Sequence, residues 1–163
     1  MLMSKLAQRN LILKLEAAPV VTSVIAIARP AAEVFDFVST PAHWSRWHPA
    51  TRLVREAPER PLVLGETVLE HIGMVGRRFQ ARWTVCACEP VNRWAIATDT
   101  PHGVARITYL IVAEGTGCRF ERRLQFRSKF WLWRLFDANL TRWVLEHQSS
   151  RALRRLKILL EAR

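Results

Sequence analysis

No glycine or proline follows Gly117, so nothing in residues 128–163 interrupts a helix. Ser128 reads as an N-cap, with Lys129 opening the helix. Leu145, Ser149, Ala152, Leu156 and Leu159 recur at spacings of three and four, with Leu153 and Leu160 beside them. That stripe needs something to pack against, while Arg151, Arg154 and Glu161 fall on the water side. A second stripe, Phe136, Leu140, Trp143 and His147, lies nearly opposite the first. A straight helix of this length would span roughly 50 Å. The pattern predicts either a bend near 137–139 or a helix apolar on both sides over its first turns. Either way a long terminal helix demands a broad apolar surface from the chain before it.

That preceding chain alternates like a sheet. Val20 to Ala28 is β-branched and apolar, and Arg29-Pro30 stops it. Pro30 then opens a helix over Ala31–Val38, with Val34, Phe35 and Val38 inward. Ser39-Thr40-Pro41 starts a second short helix carrying His43, Trp44 and Trp47, ended by His48-Pro49. Strands follow at 52–57, 66–72, 77–89, 93–98, 103–113 and 118–127, separated by Pro- and Gly-containing turns. In 77–89, Phe79, Ala81, Trp83, Val85 and Ala87 share one face. In 118–127, Cys118, Phe120, Arg122, Leu124 and Phe126 share one face, with Arg119, Glu121, Arg123 and Gln125 opposite. Gly115-Thr116-Gly117 reads as a tight hairpin. The expected class is α+β: a curved antiparallel meander, two short helices after its first strand, and a long helix closing its apolar face.

Composition limits the partners. Half the residues are apolar and the chain of 163 residues suits one domain. The net charge of +11 comes from arginines scattered along the chain, without a helix-turn-helix, zinc-finger or RNA-binding signature. Specific nucleic-acid binding is therefore not expected, and a solvated basic surface is. Cys86, Cys88 and Cys118 make no CxxC and no metal set, and Cys86 and Cys88 should point to one side of their strand. Reduced thiols and the lack of a long apolar run point to the cytoplasm, with no cofactor or metal. Residues 1–18 form an extension, amphipathic through Leu2, Leu6 and Leu13, and 19–163 the main domain. The extension either covers an apolar face of the body or meets another chain or an anionic membrane.

The order strand, two short helices, six strands, long helix resembles that of the START-like (SRPBCC, helix-grip) superfamily. It includes the birch-pollen-allergen, polyketide cyclase/dehydrase and coenzyme Q-binding families. The resemblance rests on ARPAAEVFDFVSTPAHWSRWHP (28–49), WTVCACEPVNRWAI (83–96), YLIVAEGTGCRFERRLQF (109–126) and RWVLEHQSSRALRRLKILLE (142–161). It implies a cavity between sheet and long helix for an apolar or aromatic small molecule. Projecting the strand alternation gives a lining of Trp83, Trp94, Tyr109, Phe120, Arg122 and Phe126. Trp44, Trp47, Phe136, Leu140 and Trp143 would lie near its mouth.

Arg122 is the sharpest polar member. A buried guanidinium needs a partner, either a carboxylate or phenolate on a guest or the internal Glu70, which shares a face with Val68 and Ile72. The histidines form no Ser-His-Asp order and no HxxxH. A cyclase would need a base and an enolate stabiliser, and His71 with Tyr109 and Arg122 is the set the residues offer. Three functions compete: a binder of a lipid-, quinone- or polyketide-like molecule, a polyketide cyclase or dehydratase, and a lipid or quinone carrier docking on anionic membrane.

Overall fold

A computed structural model describes residues 15, 18–74, 76–129 and 138–162, with backbone alone at 74, 77 and 138–141. Phe136 and the side chain of Leu140 lie outside the described residues, as does most of the extension. The elements are β1 (Val20–Ile27), α1 (Ala31–Ser39), a 3-10 turn (Pro41–His43), α2 (Trp44–Trp47), β2 (Thr51–Arg55), β3 (Thr67–Met74), β4 (Arg77–Glu89), β5 (Arg93–Thr100), β6 (Gly103–Glu114), β7 (Gly117–Ser128) and α3 (Ala138–Glu161). The strands form one antiparallel sheet in the order β1-β7-β6-β5-β4-β3-β2. This is the curved sheet and terminal helix of the helix-grip fold.

Local chemistry sets the boundaries. Pro30 sits one residue before α1, where its carbonyl accepts the Val34 N–H at 3.2 Å. The Ser39 and Thr40 hydroxyls donate back to the Phe35 and Asp36 carbonyls, which helps end the helix before Pro41. Gly115 takes φ +59° in the two-residue turn joining β6 to β7. At Gly117 a Cβ would stand 2.5 Å from the Ile27 carbonyl oxygen, so β7 meets the end of β1 only because that position is bare.

Both apolar faces meet in one core. Ala152, Leu153, Leu156 and Leu160 of α3 are buried, in a cluster with Val34, Trp94, Ile107 and Phe120. Burying each leucine contributes about 1.5–3 kcal/mol relative to leaving it in water. Arg151, Arg154 and Glu161 are exposed, as the helical spacing requires. A smaller cluster, Leu15, Ala18, Ala97 and Val104, lies on the opposite face of the sheet. There Gln125 donates to the Leu15 carbonyl at 3.3 Å, so Leu15 and Ala18 cover part of the outer face.

Three expectations need correction. Ser128 is not an N-cap. It pairs with Gly103 at the end of β7, and Lys129 stays laced to the β5–β6 hairpin through the His102 and Thr100 carbonyls. Cys86 and Cys88 do not share a side, and Ala87 does not continue the Phe79–Val85 face. A bulge between Val85 and Ala87 shifts the register by one residue. Cys86 therefore joins the outer cluster and Cys88 packs on the main core. The stripe through Trp143 and His147 faces outward: Trp143 is 61% exposed, and its ring stacks on His147 at 5.6 Å.

Candidate functional site

Strict alternation along β7 turns Arg122 inward between Phe120 and Leu124, opposite Tyr109 of β6 and Ser23 of β1. Its residue is 3% exposed. Nη1 donates to Ser149 Oγ of α3 at 3.1 Å, and Nη2 donates to His48 Nε2 at 3.2 Å. Ser149 belongs to the small, apolar stripe of α3, which brings the helix close to the sheet. His48 is placed by its neighbour: Pro49 excludes the helical region for it, so α2 ends and His48 turns extended.

The network continues across the sheet. His48 Nδ1 lies 3.3 Å from Thr51 Oγ1, whose hydroxyl donates to the Glu70 carboxylate. Because that hydroxyl proton is committed to Glu70, the oxygen accepts from His48 Nδ1–H. The other ring nitrogen then accepts from Arg122, which assigns a neutral imidazole. Glu70 Oε2 also accepts the Trp83 Nε1–H at 2.6 Å. A largely buried string thus runs Ser149–Arg122–His48–Thr51–Glu70–Trp83, with His48 half-buried, spanning α3, β7, the α2–β2 connection, β2, β3 and β4. Arg122 reaches Glu70 through this relay and not by direct pairing.

Aromatic rings surround it. Trp94 stacks on Tyr109 at 5.6 Å and 17°, Phe120 tilts against Tyr109 at 5.3 Å, and Trp47 lies 6.0 Å from Tyr109 and 5.7 Å from His48. Trp44 meets Trp94 edge-on at 6.1 Å. Trp44 and Trp94 donate their indole N–H groups to the Val38 and Leu62 carbonyls. Trp47 Nε1 and Arg122 Nε are buried without a hydrogen-bond partner.

This environment moves the ionisable groups. Burial, helped by the Arg122 charge, holds His48 down to about 3, so it is neutral and a weak base. Burial pushes Tyr109 up to about 12 against the opposing Arg122 charge. Burial also raises Glu70, opposed by the donors Thr51 and Trp83 and by Arg122. Such a set offers hydrogen-bond donors to an acceptor, and its neutral His48 is a weak base.

Of the residues singled out from the sequence, Trp47, Trp83, Trp94, Tyr109, Phe120 and Arg122 come together here, with Trp44 behind Trp94. Phe126 is half-buried at the rim of the same face. His71 does not join them: it neighbours the inward Glu70, so the alternation of β3 puts it on the outer face beside Gln80. Trp143 is also excluded. It lies nine residues before Ala152, about two and a half turns, and so faces away from the sheet. His48, Thr51 and Ser149 were not singled out as site residues. Pro49 after His48 and a serine within a leucine stripe were the available signals.

Grooves of about 610 and 350 Å³ lie on the outer face, around Arg93, Leu110, Glu121 and Arg123. Beneath α3 the rings of Trp47, Trp94, Tyr109 and Phe120 pack against one another. Among the described residues no group of His, Cys, Asp or Glu is arranged to hold a metal ion. No helix of the described residues is long and apolar enough to cross a membrane.

Solved structures share this architecture. The chain is similar to a START superfamily protein from Mycobacterium smegmatis, with TM-score 0.73 and 13% identity over 88% of this chain and 97% of that one. It is similar to Ara h 8.0201, with TM-score 0.65 and 10% identity over 90% and 100%. A third is DynU16, described as a putative protein in the dynemicin biosynthetic locus, with TM-score 0.62 and 13% identity over 87% of this chain and 47% of that one. No curated protein sequence matches. A family model, however, matches residues 18–161, nearly the whole chain, and it places the protein in the family described as polyketide cyclase / dehydrase and lipid transport.

Proposed function

We propose that the protein binds a hydrophobic or aromatic small molecule, lipid-, quinone- or polyketide-like, between the sheet and α3. The observation that carries this reading is the buried Arg122 string set into a wall of aromatic rings. A guanidinium buried for stability alone is costly, and apolar side chains would fill the same volume as well or better. In this structure Trp47 tilts against Tyr109 at 6.0 Å near the junction of α2 and α3, where a guest would enter by repacking the rings. The family and the likeness to helix-grip proteins support binding of this kind. A cyclase or dehydratase reading has less support, because a His48 held near 3 is a weak general base. Three free cysteines fit a reducing cytoplasm.

Titration with decanoic acid, a short-chain quinone and 2-naphthol, followed by tryptophan fluorescence, tests this. Saturable one-to-one binding of at least one is expected, and native mass spectrometry of the purified protein should show a co-purified organic ligand. Absence of both results would end the proposal.

A carrier role has one observation of its own. The outward stripe of α3 carries Trp143 and Ile158, 61% and 67% exposed, among Arg151 and Arg154, which form no ion pair with described residues. Exposed tryptophan beside uncompensated arginine suits an anionic bilayer surface. The full chain should sediment with vesicles containing phosphatidylserine, and Trp143→Ala with Arg154→Glu should reduce the pelleted fraction. No pelleting at physiological salt would remove this role.

A further inference from the structure

Four buried side-chain nitrogens of the described residues have no hydrogen-bond partner: Trp47 Nε1, His71 Nε2, Arg106 Nε and Arg122 Nε. Two of them, His71 and Arg106, belong to the outer face. The other two belong to the site beneath α3, on residues 1% and 3% exposed. Buried polar atoms are satisfied almost everywhere in folded proteins, so each exception asks for an explanation. Both exceptions here are obligate donors, since neither an indole nor a guanidinium nitrogen offers a lone pair. They also share neighbours. Arg122 donates to His48, whose ring meets Trp47 edge-on, and the Trp47 ring and Arg122 both flank Tyr109. The remaining indoles of the wall, Trp44, Trp83 and Trp94, all have acceptors.

The geometry points to a guest that carries an acidic oxygen, a carboxylate or an equivalent phenolate, received by the Trp47 indole N–H and the Arg122 guanidinium. This inference rests on the binding role proposed above and names the class of molecule that role would serve. A hydrocarbon leaves both donors unpaired, and a cation is repelled by Arg122. Charge accounting refines the expectation. Arg122 and the Glu70 carboxyl already face each other through the relay, so an anionic guest adds negative charge close to Glu70. Glu70 is the group that opposes it. Removing that carboxylate as Glu70→Gln should tighten binding of an acid and leave an uncharged guest unaffected.

The test compares 2-naphthoate with 2-methylnaphthalene, which share a ring system and differ in the acceptor. Wild-type protein should bind the acid at least about tenfold more tightly, the scale of one charge-assisted hydrogen bond. Trp47→Phe keeps an aromatic ring and deletes the N–H together with part of the indole volume, a loss that both compounds share. It should weaken the acid about fivefold or more and change the hydrocarbon by less than about twofold. Arg122→Lys, which keeps the charge and lacks the Nε–H, should also weaken the acid selectively. Equal wild-type affinities, or equal losses for both compounds in Trp47→Phe, would overturn the acidic-oxygen assignment and leave hydrophobic binding standing. Saturable binding of neither compound would overturn the binding role itself.

Discussion

The two faces of β7 carry the same side chain under opposite conditions. Outward, Arg119 and Arg123 are 44% and 49% exposed, and both reach the carboxylate of Glu121. Inward, one residue from Arg123, Arg122 is buried and donates to a serine hydroxyl and a neutral imidazole, with Tyr109 beside it. Outside, the two arginines are wet and share the buried Glu121, so losing either one leaves the carboxylate a second partner and costs little. Inside, the countercharge on Glu70 is reached only through His48 and Thr51. The contrast shows that the net charge of +11 says little about function. What matters is the one guanidinium that alternation sends into the core.

The sharpest way to break this contrast is to delete both kinds of arginine. Arg122→Leu should cost about 3–5 kcal/mol of unfolding free energy, because Glu70 is left buried without its countercharge. Adding Glu70→Gln to that variant should recover part of the loss. Urea midpoints measure both, and a cost for Arg122→Leu no greater than for an outer arginine would erase the distinction. His48 gives a smaller, pH-dependent effect. Its folded pKa of about 3 lies below its ordinary value of 6.5, so the unfolded chain binds the proton first. Its contribution is complete above about pH 6.5 and drains away as pH falls towards 3. His48→Gln should therefore flatten the loss of Tm between pH 7 and 4.5, by up to a few kcal/mol in stability terms. An unchanged slope would mean that folding does not lower the His48 pKa. The smallest effect is expected outside: Arg123→Ala should change stability by less than about 1 kcal/mol, and by less again in high salt.

Much of the fold was legible from spacing alone, because period two and period 3.6 are properties of the backbone. They placed Arg122, Tyr109, Phe120 and Trp94 on one face and Leu156 and Leu160 against it. Where a local pattern met a long-range contact, the contact won. Ser128 looks like a helix cap until Gly103, far back in the chain, pairs with it. A single bulge in β4 separated Cys86 from Cys88. The polar string was harder to see, since Ser149, Arg122 and His48 are joined across separations of 27 and 74 residues, and Thr51 and Glu70 across 19. No short motif records such a meeting. Glu70 was recognised as an internal partner for Arg122, but not the His48–Thr51 relay between them.

The end of α3 returns to the beginning of the sheet. Glu161 accepts the Ala28 N–H at 2.7 Å, Arg29 donates to the Leu160 carbonyl at 2.9 Å, and Lys157 reaches the Ala26 carbonyl at 2.8 Å. These bonds join residues more than 130 positions apart. On the ribosome, then, the sheet waits with its greasy side bare until the closing residues have emerged. Contacts of such long range also form slowly. For this architecture, the interval between synthesis and closure is when a chaperone has the most to protect.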